Sequence, residues 1–455
     1  MPDTASRTAL ARNERRVTGI LAAIFGLRMF GLFMILPVFT VLGAELDGAT
    51  PLLMGVAIGA YGLLQALFQV PFGMLSDRYG RRVLMVVGLL VFAAGGVIAA
   101  SADSIYGVIA GRAVQGAGAV AAVIMALLAD VVSEQQRTRA MAIVGMTVGS
   151  AFIVALIIGP ALAAWLGLSG LFWLATGLAL VGLLMTLLWL PEPQLRSREA
   201  QLPWRTRVAG VVRDPLLARM NLGIFILHAV LMATFVTVPG LLQQQLPLAQ
   251  HSVLYLVVFI ASLLVMVPLM IRGERRGLRG AKLVAIVLLL AAQLLLALGH
   301  KQLWLLTVAL WLFFAGFNLL EALLPSLVGR VAPVGTRGTA MGLYSTLQFL
   351  GVFAGAALGG WLLQYQGAGA VFWAAAMLLV PWLLAALTMP PLRRLESRSL
   401  PLPPAAALAG WSERVLAVPG VLEAVVFAES GVAMIKIDPA EIDEAALDAA
   451  AAQLN

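Results

Sequence analysis

The chain has 455 residues, of which 61% are hydrophobic and only 11% are charged. Water-soluble domains carry roughly 25% charged residues, so this composition excludes an ordinary soluble enzyme and indicates a protein that crosses a membrane several times. The net charge is +8, and the chain has no cysteine, which excludes disulfides and thiolate metal sites.

Long apolar runs recur along the chain, and each is long enough to cross a bilayer as a helix. The first run is too long and too rich in glycine for a cleaved signal peptide. The predicted spans are 17–44, 53–73, 83–100, 105–132, 138–164, 170–190, 218–242, 250–271, 282–299, 303–331, 336–364 and 370–390.

The basic residues are distributed unevenly between the predicted loops. Of the 30 lysines and arginines, all but Arg28, Arg112 and Lys301 lie in the N-terminus, the even-numbered loops or the tail. This is the positive-inside pattern, so both termini are predicted to be cytoplasmic. The positive charge therefore indicates topology and contact with anionic lipid at the cytoplasmic face, and it does not indicate a nucleic-acid partner.

The sequence repeats itself. A shift of 200 residues superimposes identical residues, among them Arg137 on Arg337 and Gly167 on Gly367. Two parallel six-helix halves form a known transporter architecture, with the substrate site between the halves near the midplane. The predicted organisation is a cytoplasmic N-terminus (1–16), an N-terminal bundle (17–190), a cytoplasmic linker (191–217), a C-terminal bundle (218–390), a Pro-rich linker (391–404) and a small α+β cytoplasmic module (405–455).

The module is predicted to contain a helix around "LAGWSERVLAV", a hairpin that turns at 429–431, and a helix that begins with Asp438 as its cap and Pro439 in its first turn. It resembles part of a ferredoxin-like fold that lacks a closing strand. A regulatory role, self-association and a degenerate appendage all remain open for it.

Charged residues concentrate in the stretch "GMLSDRYGRR", between the second and third spans. Gly73 would let two helices approach closely, and Asp77 could cap the N-terminus of a neighbouring helix. A weaker copy is "RGERRGLRGAK" at 272–282, in which Gly277 corresponds to Gly80.

The stretch resembles motif A of the major facilitator superfamily, and "GRAVQGAGA" (111–119) resembles motif B of the same family. The resemblance implies that Asp77 contacts span 11 near Thr336 and that Arg81 pairs with Asp130, which together latch the halves in the outward-open state. The alternative is that the arginines only anchor the topology. The residues assigned to this conformational switch are Gly73, Asp77, Arg78, Gly80, Arg81, Arg82 and Asp130.

Ionisable residues inside predicted spans are costly and are usually functional. Glu321 is the best candidate for a proton carrier, and His228 can titrate near neutral pH. The resemblance gives Arg112 a role in proton coupling, and static or purely structural roles remain open for all of these residues. The central-cavity set is Arg28, Arg112, Gln115, His228 and Glu321.

The family resemblance implies a secondary transporter in a bacterial inner membrane. The sequence has no phosphate-binding loop, no evident nucleophile–base pair and only three scattered histidines, so neither enzymatic activity nor a cofactor or metal is expected. The favoured function is proton-coupled export, by alternating access, of small and hydrophobic compounds. The fifth span keeps Gly159-Pro160 but has Ala163-Ala164 where the antiporter signature has glycines, which weakens the evidence for antiport. The alternatives are a facilitator or proton symporter of a small solute, and a non-transporting sensor that signals through the module.

Overall fold

The computed structural model describes residues 4–132, 134–190, 204–333, 336–389, 396–402, 410–427 and 432–452. The helices are α1 (Thr4–Phe33), α2 (Phe39–Leu42), α3 (Pro51–Tyr79), α4 (Arg81–Ala100), α5 (Ile105–Ala117), α6 (Val120–Val131), α7 (Glu134–Leu188), α8 (Trp204–Arg213), α9 (Pro215–Gln243), α10 (Leu248–Arg276), α11 (Leu278–Gly299), α12 (Leu303–Val331), α13 (Arg337–Gln366), α14 (Ala368–Leu387), α15 (Trp411–Leu416) and α16 (Glu444–Ala452). The strands are β1 (Glu396–Pro401), β2 (Val421–Phe427) and β3 (Val432–Ile437).

Among the described residues, eleven helical stretches are long and apolar enough to cross a membrane. One of them, within α7, contains two crossings, because Gly167 leaves the helical conformation (φ 65°, ψ −175°). The part of the chain that the structure describes therefore makes twelve crossings, as the sequence predicts. The fourth crossing is itself divided, since α5 ends at Ala117 and α6 begins at Val120.

Several predicted boundaries differ from the structure. The helix of the first crossing ends at Phe33, and the run that follows turns before it re-forms a helix at Phe39. The expected cytoplasmic N-terminus is helical from Thr4 onward, and α8 lies within the expected linker 191–217, whose first part (191–203) is outside the described residues.

The two halves share backbone features at equivalent places. Gly80 and Gly277 have φ values of 99° and 106°, and Gly167 and Gly367 have φ values of 65° and 83°. A side chain at any of these four positions would be strained, so glycine is required at both copies of each turn. The structural repeat therefore extends to the "RGERRGLRGAK" loop, whose sequence match is weak.

α13 contacts both halves of the molecule. On one face, Gly351 and Gly355 approach the backbone of α9 so closely that a Cβ would have no room. On the other face, Gly360 and Ala356 lie against the start of α3, where Gly55 likewise has no space for a Cβ. Small residues thus let α13 bridge its own half and the opposite half through direct backbone contact.

The halves touch at one end of the bundle and separate at the other. At the closed end, the backbone amide of Leu52 donates to Gln364 Oε1 at 3.1 Å, and that of Ala161 donates to Ser252 Oγ at 3.1 Å. The opposite end carries Arg81, Arg139 and Arg330 and is the basic end. Several glycines on this side face open space. A Cβ would meet no atom within 4 Å at Gly73, Gly145, Gly149, Gly338 or Gly342.

The C-terminal module is a three-stranded antiparallel sheet in the order β1-β3-β2, covered on one face by α15 and α16. The edge strand β1 was not predicted. It lies inside the expected linker 391–404, so this part of the linker prediction differs from the structure. The Pro-rich and basic composition predicts a linker, but residues of this segment pair with β3. The predicted turn at 429–431 lies outside the described residues.

The last helix begins later than the sequence predicts. Asp438 does not start the helix, because its Oδ1 accepts a hydrogen bond from the amide of Ala440 at 3.0 Å in a local turn. Asp443 lies just before the helix, and its Oδ1 accepts from the amide of Ala446 at 3.0 Å. The Asp-Pro signal is therefore used for a turn, and the next aspartate supplies the cap.

The close approach of α3 and α13 generates the first prediction. Gly55→Leu should destabilise the protein by about 1–3 kcal/mol, because the larger side chain has to displace the α13 backbone. Gly149→Leu is the matched control, since that position is open and leucine favours a helix more than glycine does. Thermal unfolding midpoints in one detergent measure the difference, and equal midpoints for the two variants would contradict tight packing at this seam.

Candidate transport site and switch motif

Arg81 lies at the centre of a charged cluster at the basic end. Its Nη2 atom lies 2.5 Å from Asp77 Oδ1, and its Nε atom donates to Asp130 Oδ2 at 2.7 Å. Its Nη1 atom donates to Ser76 Oγ at 2.5 Å. The guanidinium thus ties the end of α3 and the start of α4 to the end of α6, all within the N-terminal half.

Asp77 does not contact span 11 in this structure. Among the described residues its carboxylate is paired with Arg81, and Thr336 makes no side-chain cap at the start of α13. Gly73, expected to allow close helix contact, has no neighbouring atom near its Cβ position. Both differences have one cause: the halves are separated at the basic end, so the expected partner helix is out of reach.

The other two arginines of the stretch, Arg78 and Arg82, make different contacts from Arg81 and do not join its charged cluster in this structure. Arg82 donates from Nε to the carbonyl of Thr186 at 3.2 Å and also contacts the carbonyl of Leu187, so it caps the C-terminal end of α7. In the second half, Arg279 donates to the carbonyl of Leu387 at 2.5 Å in the equivalent place. Arg78 is exposed and lies over the ring of Tyr79, which suits a topology anchor.

Arg28 is almost completely buried inside the N-terminal half. Its Nη2 atom donates to Tyr61 OH at 3.0 Å, to Gln65 Oε1 at 3.1 Å and to the carbonyl of Gly118 at 2.9 Å. That carbonyl belongs to the break between α5 and α6, and the C-terminal end of α5 offers a partial negative charge. Arg28 is therefore held by a polar network within one half, without a carboxylate partner among the described residues.

Arg112 is buried beside this network. Its Nη1 atom donates to Gln115 Oε1 at 3.1 Å, and its guanidinium lies 5.0 Å from the centre of the Tyr61 ring. Tyr61 thus contacts both guanidinium groups. The described hydrogen-bond partners of the two arginines are amides, a phenol and a backbone carbonyl, and Arg28 also lies 5.0 Å from the centre of the Phe92 ring.

The second buried polar group lies in the C-terminal half and contains titratable side chains. Gln348 Nε2 lies 2.8 Å from His228 Nε2 and 3.4 Å from Glu321 Oε1. His228 Nδ1 lies 3.3 Å from the carbonyl of Ile224. These contacts fit a neutral imidazole that donates from Nδ1 and accepts the Gln348 amide at Nε2. Glu321 Oε2 lies 3.8 Å from His228 Nε2, so the acid is ready to pair with the imidazole if that ring is protonated.

Aromatic rings close this site on one side. The Phe152 ring from the N-terminal half lies 6.0 Å from the Phe317 ring, which lies 5.9 Å from the His228 ring. Phe33 packs edge-on against Phe152 at 5.1 Å. Because α12 runs from the closed end to the basic end, Glu321 lies one turn nearer the opening than Phe317. Its side chain is 38% exposed, whereas that of His228 is 8% exposed.

Sequence reasoning missed three residues that complete the two networks: Tyr61, Gln65 and Gln348. Each is a polar side chain in an otherwise apolar span, and Tyr61 and Gln65 are spaced four apart on one helix face. That signal was available, but neutral polar residues are common in spans and cannot be assigned partners without the fold. No cluster of three or more metal-ligating side chains occurs in the part of the chain that the structure describes.

Comparison with known proteins agrees with this architecture. The sequence model of the Major Facilitator Superfamily matches residues 21–356 and again residues 221–435. The Inner membrane transport protein YajR of Escherichia coli K12 is 44% identical over 93% of this chain and 94% of its own length. Multidrug resistance protein MdtH of Aeromonas salmonicida is 27% identical over 78% of this chain and 88% of its own.

Among solved structures, a bacterial homologue of the human lysosomal transporter Spinster, in an inward-facing and unoccupied conformation, superimposes with a TM-score of 0.62. The alignment covers 82% of this chain and 97% of that one, at 15% identity, so it supports the fold alone. Twelve crossings in two related halves, the charged cluster around Arg81 and the family match over most of the sequence lead to one conclusion: this chain belongs to the major facilitator superfamily of membrane transporters.

Proposed function

We propose that this protein is a proton-coupled exporter of small, hydrophobic compounds and that Glu321 carries the coupled proton. The observation that carries the proposal is the position of Glu321. The carboxylate lies within a membrane span, next to His228 and Gln348; aromatic rings pack on the His228 side, and the Glu321 side chain is partly exposed. A carboxyl group with access to one side at a time is what alternating access by a proton carrier requires.

The N-terminal network does not offer a comparable carrier. Arginine stays protonated under all relevant conditions, and the described partners of Arg28 and Arg112 are amides, a phenol and a backbone carbonyl. We assign a positioning role to these arginines. Arg28 holds the Gly118 carbonyl at the break in the fourth crossing, and both arginines hold Tyr61 in its orientation. Proton transfer is then confined to the C-terminal half, with His228 as the partner that can share a proton with Glu321.

α13 links protonation of Glu321 to conformational change, because it contacts the buried polar groups of both halves. Gln348 contacts both Glu321 and His228, and the next residue, Phe349, lies 6.4 Å from the ring of Tyr61 in the opposite half. A proton on Glu321 removes its negative charge and changes its hydrogen bond with Gln348. Because α13 also forms the seam with α3, this change acts on the helix about which the halves separate.

The charged cluster around Arg81 is proposed to control closure of the basic end during the transport cycle. With the basic loops in the cytoplasm, as the charge distribution predicts, this structure is open to the cytoplasm. We propose that closure of this end brings Asp77 from Arg81 to the N-terminus of α13, where an acid is favoured by the helix dipole. Arg81 and Asp130 would then hold the end of α3 in position for that contact.

The proposed substrate class rests on the aromatic rings behind His228. Phe317 packs against His228, and Phe152 and Phe33 pack behind Phe317, so this side of the site is apolar, which suits hydrophobic compounds. The similarity to a multidrug resistance protein supports export. The relative YajR is named as an inner membrane protein, and we propose the same location for this chain.

Transport by inverted membrane vesicles tests the function. With an acidic lumen, an antiporter should accumulate apolar fluorescent compounds inside the vesicles, because protons leave as substrate enters. A symporter would remove the compound from the lumen under the same gradient, and transport by a facilitator would not depend on the gradient. Failure of the gradient to drive any accumulation across a chemically diverse panel would contradict the proposal.

Glu321→Gln should abolish gradient-driven accumulation while leaving the folded protein intact. Glutamine has nearly the same shape and can still bond to Gln348, but it cannot take up a proton. Glu45→Gln is the matched control, because it makes the same chemical change at an exposed position near the closed end. A Glu321→Gln protein that responds to the gradient as the wild type does would remove Glu321 as the carrier.

The charged cluster is tested by a double-mutant cycle. Arg81→Ala or Asp130→Ala alone should each slow transport. Arg81→Ala leaves two carboxylates without their cation, which can cost several kcal/mol, whereas Asp130→Ala leaves Arg81 paired with Asp77 alone and should cost less. The swap of Arg81→Asp with Asp130→Arg should restore part of the rate, although repulsion between residues 77 and 81 limits the recovery. Strictly additive effects on the transport rate would show that the pair does not act as a unit.

Asp77→Asn tests the role of Asp77 in the conformational switch without changing the fold. We expect normal expression and a much lower transport rate, since the neutral side chain is a weaker partner for the α13 N-terminus. Arg78→Gln is the control, because Arg78 is exposed and contacts only Tyr79 among the described residues. A normal transport rate for Asp77→Asn would contradict the proposed contact across the halves.

A further inference from the structure

Lys436 projects from the open face of the sheet in the C-terminal module. Its neighbours on β3, Ile435 and Ile437, are fully buried in the module core with Trp411 and Leu447. Successive side chains of a strand point to opposite faces, so Lys436 points away from that core. It is nevertheless only 3% exposed, which means that something outside the module core covers it.

The group that covers Lys436 is the end of a transmembrane helix. Its Nζ atom donates to the carbonyls of Val331 at 2.9 Å and Ala332 at 3.0 Å, where α12 ends. The last carbonyls of a helix lack partners within the helix and carry partial negative charge, so an ammonium group is well suited to them. Glu423, on the neighbouring strand, lies 3.5 Å away and balances the charge.

This contact is made at a particular corner of the transporter. Ala332 lies four residues before Thr336, the residue that precedes α13. The module therefore touches the end of α12 at the basic end, where the halves are separated in this structure. The connection from α12 leads to the N-terminus of α13, which Asp77 has to reach when the basic end closes.

We infer that the C-terminal module is a conformational clamp: it docks through Lys436 on the α12–α13 corner when the basic end is open, and it has to leave that corner before the end closes. The binding partner of the open sheet face is thus a segment of the same chain. A coupling of this kind is reciprocal, so undocking of the module favours closure, and closure expels the module. The inference concerns the conformational equilibrium and holds whichever compound is transported.

Spin-label distances in lipid nanodiscs test the clamp in the full chain. The chain has no cysteine, so pairs of introduced cysteines label cleanly. Labels at residues 338 and 416 report docking, and labels at residues 145 and 342 report opening of the basic end. The first pair lies at exposed positions, and the glycines of the second pair have open space around them.

Lys436→Met keeps the length of the side chain but removes its charge and its donors. The ratio of docked to undocked module should fall about tenfold, as expected for loss of hydrogen bonds to a charged group, and the 145–342 distance should shift toward shorter values. Glu444→Gln is the control, since it breaks the exposed pair with Arg398 inside the module and leaves Lys436 untouched. This control should leave both distances unchanged.

Two results would overturn the clamp. One is unchanged docking in Lys436→Met, and the other is a module that undocks without any shift of the 145–342 distance. A test without substitution of Lys436 covers the case in which that variant misfolds: both label pairs are followed in the otherwise wild-type chain as pH is varied. The docked fraction should follow the open fraction, and a module that stays docked on a closed transporter contradicts the inference.

Discussion

The backbone contact between α3 and α13 is the constraint on which the rest of the structure depends. Gly55 and Gly360 remove the side chains that would hold these helices apart, so the two halves meet without an intervening layer. A contact of this kind tolerates small rotations but not the insertion of a side chain. It keeps the halves together at the closed end, and it leaves the basic end as the place where they separate.

The two halves contain different kinds of buried polar groups. The N-terminal half holds two buried arginines, in a network with Tyr61 and Gln65, and the C-terminal half holds an acid and an imidazole whose side chains lie 3.8 Å apart. α13 lies between the two sets, with Gln348 facing one and Phe349 facing the other. In the proposed mechanism, protonation in one half acts on a surface of the other half through adjacent residues of one helix.

Much of the fold was accessible from the sequence, because membrane spans and a 200-residue repeat are encoded locally. The crossings, the two halves and the residues of the charged stretch follow from apolar length, charge and glycine positions. The partner of Asp77 could not be predicted, because it depends on which end of the transporter is open. β1 was missed because pairing with β3, rather than composition, makes that segment a strand. The roles of the site residues and self-association of the module stay predictions.

The break between α5 and α6 has a consequence for biosynthesis. Arg28 belongs to the first crossing, but two of its three hydrogen-bond partners lie on the second crossing and the third is the Gly118 carbonyl of the fourth. An arginine at the centre of a single helix costs at least about 2.5–3.5 kcal/mol on insertion into lipid. The first crossing therefore gains stability in the bilayer as its partners arrive. The second crossing supplies two hydrogen bonds and the fourth supplies the last, so we expect the first four crossings to assemble as one unit.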